Sequence, residues 1–243
     1  HAVIIGEDLD TFGHVHTEDF FDITKDMEKK GTYPVLFNFP KAGKYLVALD
    51  TANPAGEFSK AFSISVQGKS FLAPPSFDFS TKKIVVGIPE EKPHMLKNAV
   101  QVSTLEQNTP ESYEVTLSAP QTIMAKKEAL LEFYFSQHGK GVTNLEPYLD
   151  APMHFAAASS DLTFFTHTHG GPPEWMQHVE EQDHMAHADQ EHAKEDLPSS
   201  FGPIIQLAIT FPQQVVYTIF GQARHEGKIL IVPFLINVTG VKP

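Results

Sequence analysis

No cysteine occurs in the 243 residues, which removes disulfides, zinc ribbons and thiolate catalysis together and leaves the redox character of the compartment open. Nor is there an apolar run of the roughly eighteen residues that a membrane-spanning helix needs. The opening segment His1-Ala2-Val3-Ile4-Ile5 carries no basic region or cleavage site of a secretory leader. Basic residues are scarce, 18 Lys and Arg against 30 Asp and Glu, for a formal net charge of −12 at pH 7. That balance repels phosphate backbones and anionic lipid, and no basic stripe offsets it, so nucleic acid is not an expected partner. Motifs of the common enzyme classes are missing as well: there is no G-x-S-x-G, phosphate loop, dinucleotide fingerprint or H-E-x-x-H. The adjacent acids Glu90-Glu91 and Glu180-Glu181 sit in polar surroundings and read as solvated faces.

What is present favours strands. Eighteen prolines, 15 glycines and 19 phenylalanines punctuate short runs rich in Val, Thr and Ile, the pattern of an all-β protein rather than one of long helices. Only residues 174–193 have a helical composition, and their polarity predicts a solvated loop or loose helix. The single tryptophan, Trp175, is expected to pack that segment down.

A repeat organises the chain. Residues 1–16, HAVIIGEDLDTFGHVH, align without a gap to residues 154–169, HFAAASSDLTFFTHTH. His1 matches His154, Asp8-Leu9 matches Asp161-Leu162, Phe12 matches Phe165, and His14 and His16 match His167 and His169. Downstream, VLFNFPKAGKYLVAL (35–49) faces LAITFPQQVVYTIFG (207–221), and AFSISVQG (61–68) faces PFLINVTG (233–240). The expectation is two antiparallel β-sandwich modules, immunoglobulin-like or cupredoxin-like, at 1–68 and 95–243. The first copy starts abruptly at its histidine, as if inside a module. Residues 69–94, with Pro74, Pro75, Pro89 and Pro93, read as a linker holding one short strand at Ile84–Ile88. Strands are expected in each copy at the histidine segments, around Phe-Pro, at the tyrosine and at the end.

The histidines carry the chemistry. On a strand, His14 and His16 point to the same face. If the segments flanking Asp8-Leu9 form a hairpin, a symmetric register sets His1 across from His16, with Cβ atoms about 5 Å apart. The same arithmetic brings His154 to His169 beside His167. Three neutral imidazoles suit borderline ions, so a copper or zinc ion is the expected cofactor of His1/His14/His16 and of His154/His167/His169, with a fourth position open. Asp8 and Asp161 are expected to cap turns rather than to bind metal. Without duplication a lone His-x-His would read as ordinary surface; recurrence of three histidines at one spacing shifts the balance toward metal.

The second copy also inserts residues 170–200, containing His178, His184, His187 and His192 among acids and methionines. Such a tract is either an auxiliary metal collector or a solvated acidic loop. The first copy has only the acidic stretch EDFFDITKDMEKKG there.

The pattern H-x6-D-L-x2-F-x-H-x-H followed by F-P-x-x-G-x-Y resembles tandem domains of bacterial secreted or envelope-attached proteins. The run LEPYLDAPMH, Leu145 to His154, is similar to their L-E-P-Y-L-G-A-x-x-H lead-in. Asp150 stands where glycine is usual, Gln214-Val215 replaces the glycine turn kept at Gly43, and Thr17 and Gly170 replace a frequent proline. The resemblance covers most of both modules. It implies a β-sandwich and a secreted, periplasmic or membrane-anchored setting near copper handling. Metal ions are the expected partners, with an envelope partner or a homo-oligomer open.

Three functions remain open at this point. One is a metal-binding protein acting in acquisition, storage or detoxification. The second is an enzyme in which an open three-histidine metal activates water or dioxygen. The third is an adhesion or binding module with structural histidines.

Overall fold

The computed structural model describes residues 1–53, 56–68, 82–86, 88–89, 112–176 and 197–240. The first copy contains β1 (Ala2–Gly6), β2 (Phe12–Val15), a 3-10 turn at Thr17–Asp19, helix α1 (Lys25–Lys30), β3 (Gly43–Asn53) and β4 (Gly56–Val66). Next come β5 (Lys82–Val86), β6 (Ile88–Pro89), β7 (Ser112–Ser118), β8 (Ile123–Met124), β9 (Glu128–Gln137) and β10 (Lys140–Gly141). The second histidine copy supplies β11 (Met153–Ser159), β12 (Phe165–Gly170), β13 (Ile204–Thr210), β14 (Val216–His225) and β15 (Lys228–Thr239). The protein is all-β, built from packed, largely antiparallel sheets.

One turn is used twice to make the two histidine hairpins. Asp8 Oδ1 accepts from the backbone N–H of Asp10 at 3.1 Å and of Thr11 at 2.9 Å, and Leu9 adopts φ 58°. Asp161 Oδ1 accepts from the Thr163 N–H at 3.1 Å, and Leu162 also adopts φ 58°. Both aspartates thus cap turns through their side chains, satisfying backbone donors that the reversal would leave unpaired. The tyrosine strand is anchored alike in both copies: Tyr45 donates to the carbonyl of Lys41 at 2.8 Å, and Tyr217 to that of Gln213 at 3.1 Å.

The strands form three layers among the described residues. The first-copy sheet has the order β2-β1-β3-β4, the middle sheet β12-β11-β14-β15-β6, and the third β10-β9-β7-β5 with β13 on β9. A large core of Leu131, Phe133, Ile205, Leu207, Phe155, Ile219 and Phe234 lies between the third sheet and the middle one. A second core lies between the middle sheet and the first: Val3, Ile5, Phe12, Leu46 and Ala48 meet Ala156, Ala158, Phe220, Ile229 and Ile231. The middle sheet is therefore covered on both faces, which explains why β11 is buried at every position while β9 alternates.

Three expectations are refined. The first copy is a single sheet whose second layer is the middle sheet of the other copy; the other copy makes the two-sheet sandwich. Strands β5 and β6, within the expected linker, pair with β7 and β15 and so belong to the second module's sheets. The stretch 35–40 is not a strand, whereas its counterpart β13 is. β13 pairs along β9, and no counterpart of β9 exists among the described first-copy residues. Phe37 and Phe39 instead fold over the outer face of β1 and β3, beside Ile4, Val15 and Tyr45.

The acidic stretch of the first copy also hides a helix that composition did not announce. α1 is capped by the Thr24 hydroxyl, which accepts from the Met27 N–H, and ends at Gly31 with φ 60°, the left-handed stop that glycine takes without strain. No helix among the described residues is long and apolar enough to cross a membrane.

Candidate metal centre

The hairpin turns set the register that gathers the histidines. β1 and β2 pair Ala2 with Val15 and Val3 with His14, so His1 lies across from His16. β11 and β12 pair His154 directly with His169, with Ala156 across from His167. In each hairpin the three imidazoles share one face, and ligand atoms of each triad lie within 4.8 Å of one another. His1 Nδ1 is 3.0 Å from His14 Nε2 and 3.2 Å from His16 Nε2. His154 Nδ1 is 3.1 Å from His167 Nε2. Nitrogens bound tetrahedrally at about 2.0–2.1 Å from one ion lie about 3.3–3.4 Å apart, so these spacings fit an ion with little movement.

The tautomers follow from the outer partners. His154 Nε2 faces the carbonyls of Tyr148 at 2.8 Å and Leu149 at 3.0 Å. Carbonyls only accept, so Nε2 carries the proton and donates to them, and Nδ1 keeps its lone pair. His167 Nδ1 lies 3.1 Å from Asp50 Oδ2, an acceptor again, so the lone pair of His167 is on Nε2. The inward nitrogens, His154 Nδ1 and His167 Nε2, face each other across 3.1 Å, a spacing that a shared cation, proton or metal ion, satisfies. In the first triad His14 Nδ1 donates to Gln222 Oε1 at 2.5 Å, and His16 Nδ1 lies 3.6 Å from Asp19 Oδ2, so both Nε2 atoms turn inward.

Burial favours the neutral form of His14, His154 and His169. His154, only 3% exposed, is depressed to about 3 by desolvation and by the neighbouring His169 and His167. Desolvation and then His167 bring His169 to about 4. His14 is pushed well below the ordinary imidazole value, by burial first and His16 second, against the opposing pull of Gln222. Burial raises Asp50, yet the hydrogen bonds from His167 and Ser59 outweigh it and leave the carboxyl below its usual range. Neutral imidazoles beside an ionised carboxylate are the protonation states that divalent metals bind.

All six predicted ligands are brought into one region. His178, His184, His187 and His192 lie outside the described residues. Trp175 is half-buried and packs on Gly171, where a Cβ would run into its ring. Asp150 takes φ 62°, which explains how it stands in for glycine: aspartate is among the few residues that tolerate the left-handed region. Sequence reasoning missed Asp50 and Gln222. Continuing the alignment of 35–49 with 207–221 by one residue would have paired them. β3 sets Leu49 opposite Ala2, hence Asp50 beside His1, and β14 sets Gln222 opposite His154. It also missed His225, 3% exposed and hydrogen-bonded to Tyr113 and Asn144, a satisfied core histidine outside the cluster.

Fold and site define an all-β protein with a histidine cluster between two sheets. Residues 107–240 match the family described as Domain of unknown function (DUF8832), and the chain, more than half of which the match covers, belongs to that family. No curated protein and no solved structure matches the chain.

Proposed function

We propose that this chain binds a transition metal, copper or zinc, through His1/His14/His16 and His154/His167/His169. The observation that supports this best is the inward pair of ring nitrogens, His154 Nδ1 and His167 Nε2, 3.1 Å apart, each with oxygen acceptors facing its other nitrogen. Carboxylate and carbonyl partners on the far ring nitrogen are how proteins orient metal-bound imidazoles and raise their basicity. The role proposed for it is metal acquisition, storage or detoxification at the cell envelope, in keeping with the exported setting that the sequence resemblance implies. The test is metal content and binding stoichiometry of the wild type against the His14→Ala/His167→Ala double variant. Copper or zinc retained by the wild type and lost by the variant supports the proposal; equal uptake by both sinks it.

A second reading has one observation in its favour. A cavity of about 670 Å³ opens beside the cluster, lined by His1, Asp50, His154, His167 and His169 among others. A bound ion there would be reachable by a small molecule, as an enzyme activating water or dioxygen requires. Asp50 is the one carboxylate among the described residues lining that cavity, and it is engaged with His167.

A further inference from the structure

The two triads are not separate sites at opposite ends of a tandem array. Phe12, His14 and His16 alternate along one strand, so the face that presents the histidines is the face that carries Phe12. Phe12 stacks on Phe220 of β14 with ring centroids 4.5 Å apart. The histidine face of the first copy is thus the face that docks on the second, and the same holds for Phe165, His167 and His169, with Phe165 packed on that shared core.

Docking brings the triads against each other. His14 lies 5.7 Å from His167 and 6.1 Å from His154, and His1 lies 6.0 Å from His167, between ring centroids. Within the triads the corresponding spacings run from 4.5 to 5.3 Å. The gap between sites is scarcely wider than the gap between ligands of one site.

The outer shell is exchanged as well. His14 of the first copy is oriented by Gln222 of the second, and His167 of the second by Asp50 of the first. Gln222 and Asp50 occupy equivalent register positions beside His154 and His1. Each copy therefore holds the leading histidine of the other's His-x-His in its tautomer, and neither site is complete without the docked partner.

From this reciprocal arrangement we infer that the six histidines form one two-metal centre built across the two copies. The inference rests on the metal-binding proposal and adds to it that the ions are neighbours, within about twice the 3.5–4 Å typical of two-metal sites. The centre takes two divalent ions of borderline softness, which six imidazoles without thiolate select. The cavity beside His1 and His169 leaves one side open for water or another small ligand.

Copper(II) is the probe that separates the outcomes. The purified full chain is titrated with copper(II), stoichiometry is read by native mass spectrometry, and electron paramagnetic resonance is recorded at one and two equivalents. The expected result is an ordinary isolated signal at one equivalent. At two equivalents the integrated intensity falls short of the copper bound, or a half-field transition appears, because the paired spins couple. His14→Ala should restore the isolated signal. Two coppers with full, uncoupled intensity would overturn the shared centre and leave metal binding intact, as would a single copper per chain. Failure to retain any copper or zinc overturns both.

Discussion

Asp50 and Gln222 do the same job with different charge. Each sets a side-chain oxygen against the Nδ1 of a histidine in the opposite copy, Gln222 in a hydrogen bond with His14 and Asp50 in an ion-pair contact of 3.1 Å with His167, and of the two only Asp50 brings an anion. A carboxylate on the far nitrogen makes an imidazole more electron-rich, and replacing such a partner typically costs about 10–100-fold in metal affinity. The carboxylate behind His167 is the nearer one, 3.1 Å against 3.6 Å for Asp19 behind His16, so the His154/His167/His169 site should fill first, and the second ion, repelled by the first, should bind more weakly. Asp50→Asn keeps an acceptor for His167 and removes the charge. In a zinc titration against a competing chelator, it should weaken the tighter step by about 10-fold or more and spare the weaker one. Gln222→Glu should strengthen the weaker step. If Asp50→Asn leaves both steps unchanged, the carboxylate has no electrostatic part in the site. These two residues escaped the sequence because aspartate and glutamine share no identity and lie just past the aligned tyrosine strands, whereas the six histidines were legible through spacing alone.

At the scale of elements, the centre depends on a docking surface that the two copies divide unequally. The alignment that pairs Tyr45 with Tyr217 sets Ala48 against Phe220, both in the shared core. A small residue on one sheet and a large one on the other let the faces interlock instead of colliding. Phe220→Ala removes a fully buried ring and its stack on Phe12, and should cost about 3–5 kcal/mol. Denaturant unfolding measures that loss, and amide exchange should show faster opening in β1 to β4 than in β7, β9 and β13. Uniform acceleration across all three sheets would mean that the first sheet does not open on its own. Hairpins and strand faces were readable from alternation and turn residues at Asp8-Leu9 and Asp161-Leu162. The stretch 35–40 was not, because its apolar pattern matches β13 while the strand it would pair with is missing among the described residues. Propensity states what a segment can become; the neighbouring edge decides.

For the whole molecule, the layering sets how deeply the histidines are buried and, through that, the acid sensitivity. Periodicity identifies which face of β1, β2, β11 and β12 is apolar, but not which surface that face meets, so a tandem pair of independent modules was the natural expectation and three stacked layers are the finding. Stacking buries imidazoles that would otherwise be solvated, and linkage then sets a direction. His154 titrates near 3 and His169 near 4 in the folded chain, against an ordinary value of 6.5. Below pH 6.5 the unfolded chain takes up protons that the folded chain refuses, so the metal-free protein is fully stabilised by these groups above 6.5 and loses stability as pH falls toward 3 to 4. The carboxylates whose values are lowered, Asp8, Asp50 and Asp161, start from an ordinary value of 3.8, so the histidines dominate the upper part of that window. Urea midpoints of the metal-free chain should therefore decline steadily from pH 6.5 to 4.5. His154→Gln, which removes one of the buried imidazoles, should flatten that decline even if it lowers the midpoint at pH 7. A wild-type midpoint that stays level across the same range would mean that the imidazoles are protonated in place, and the neutral ligand cluster described above would not exist.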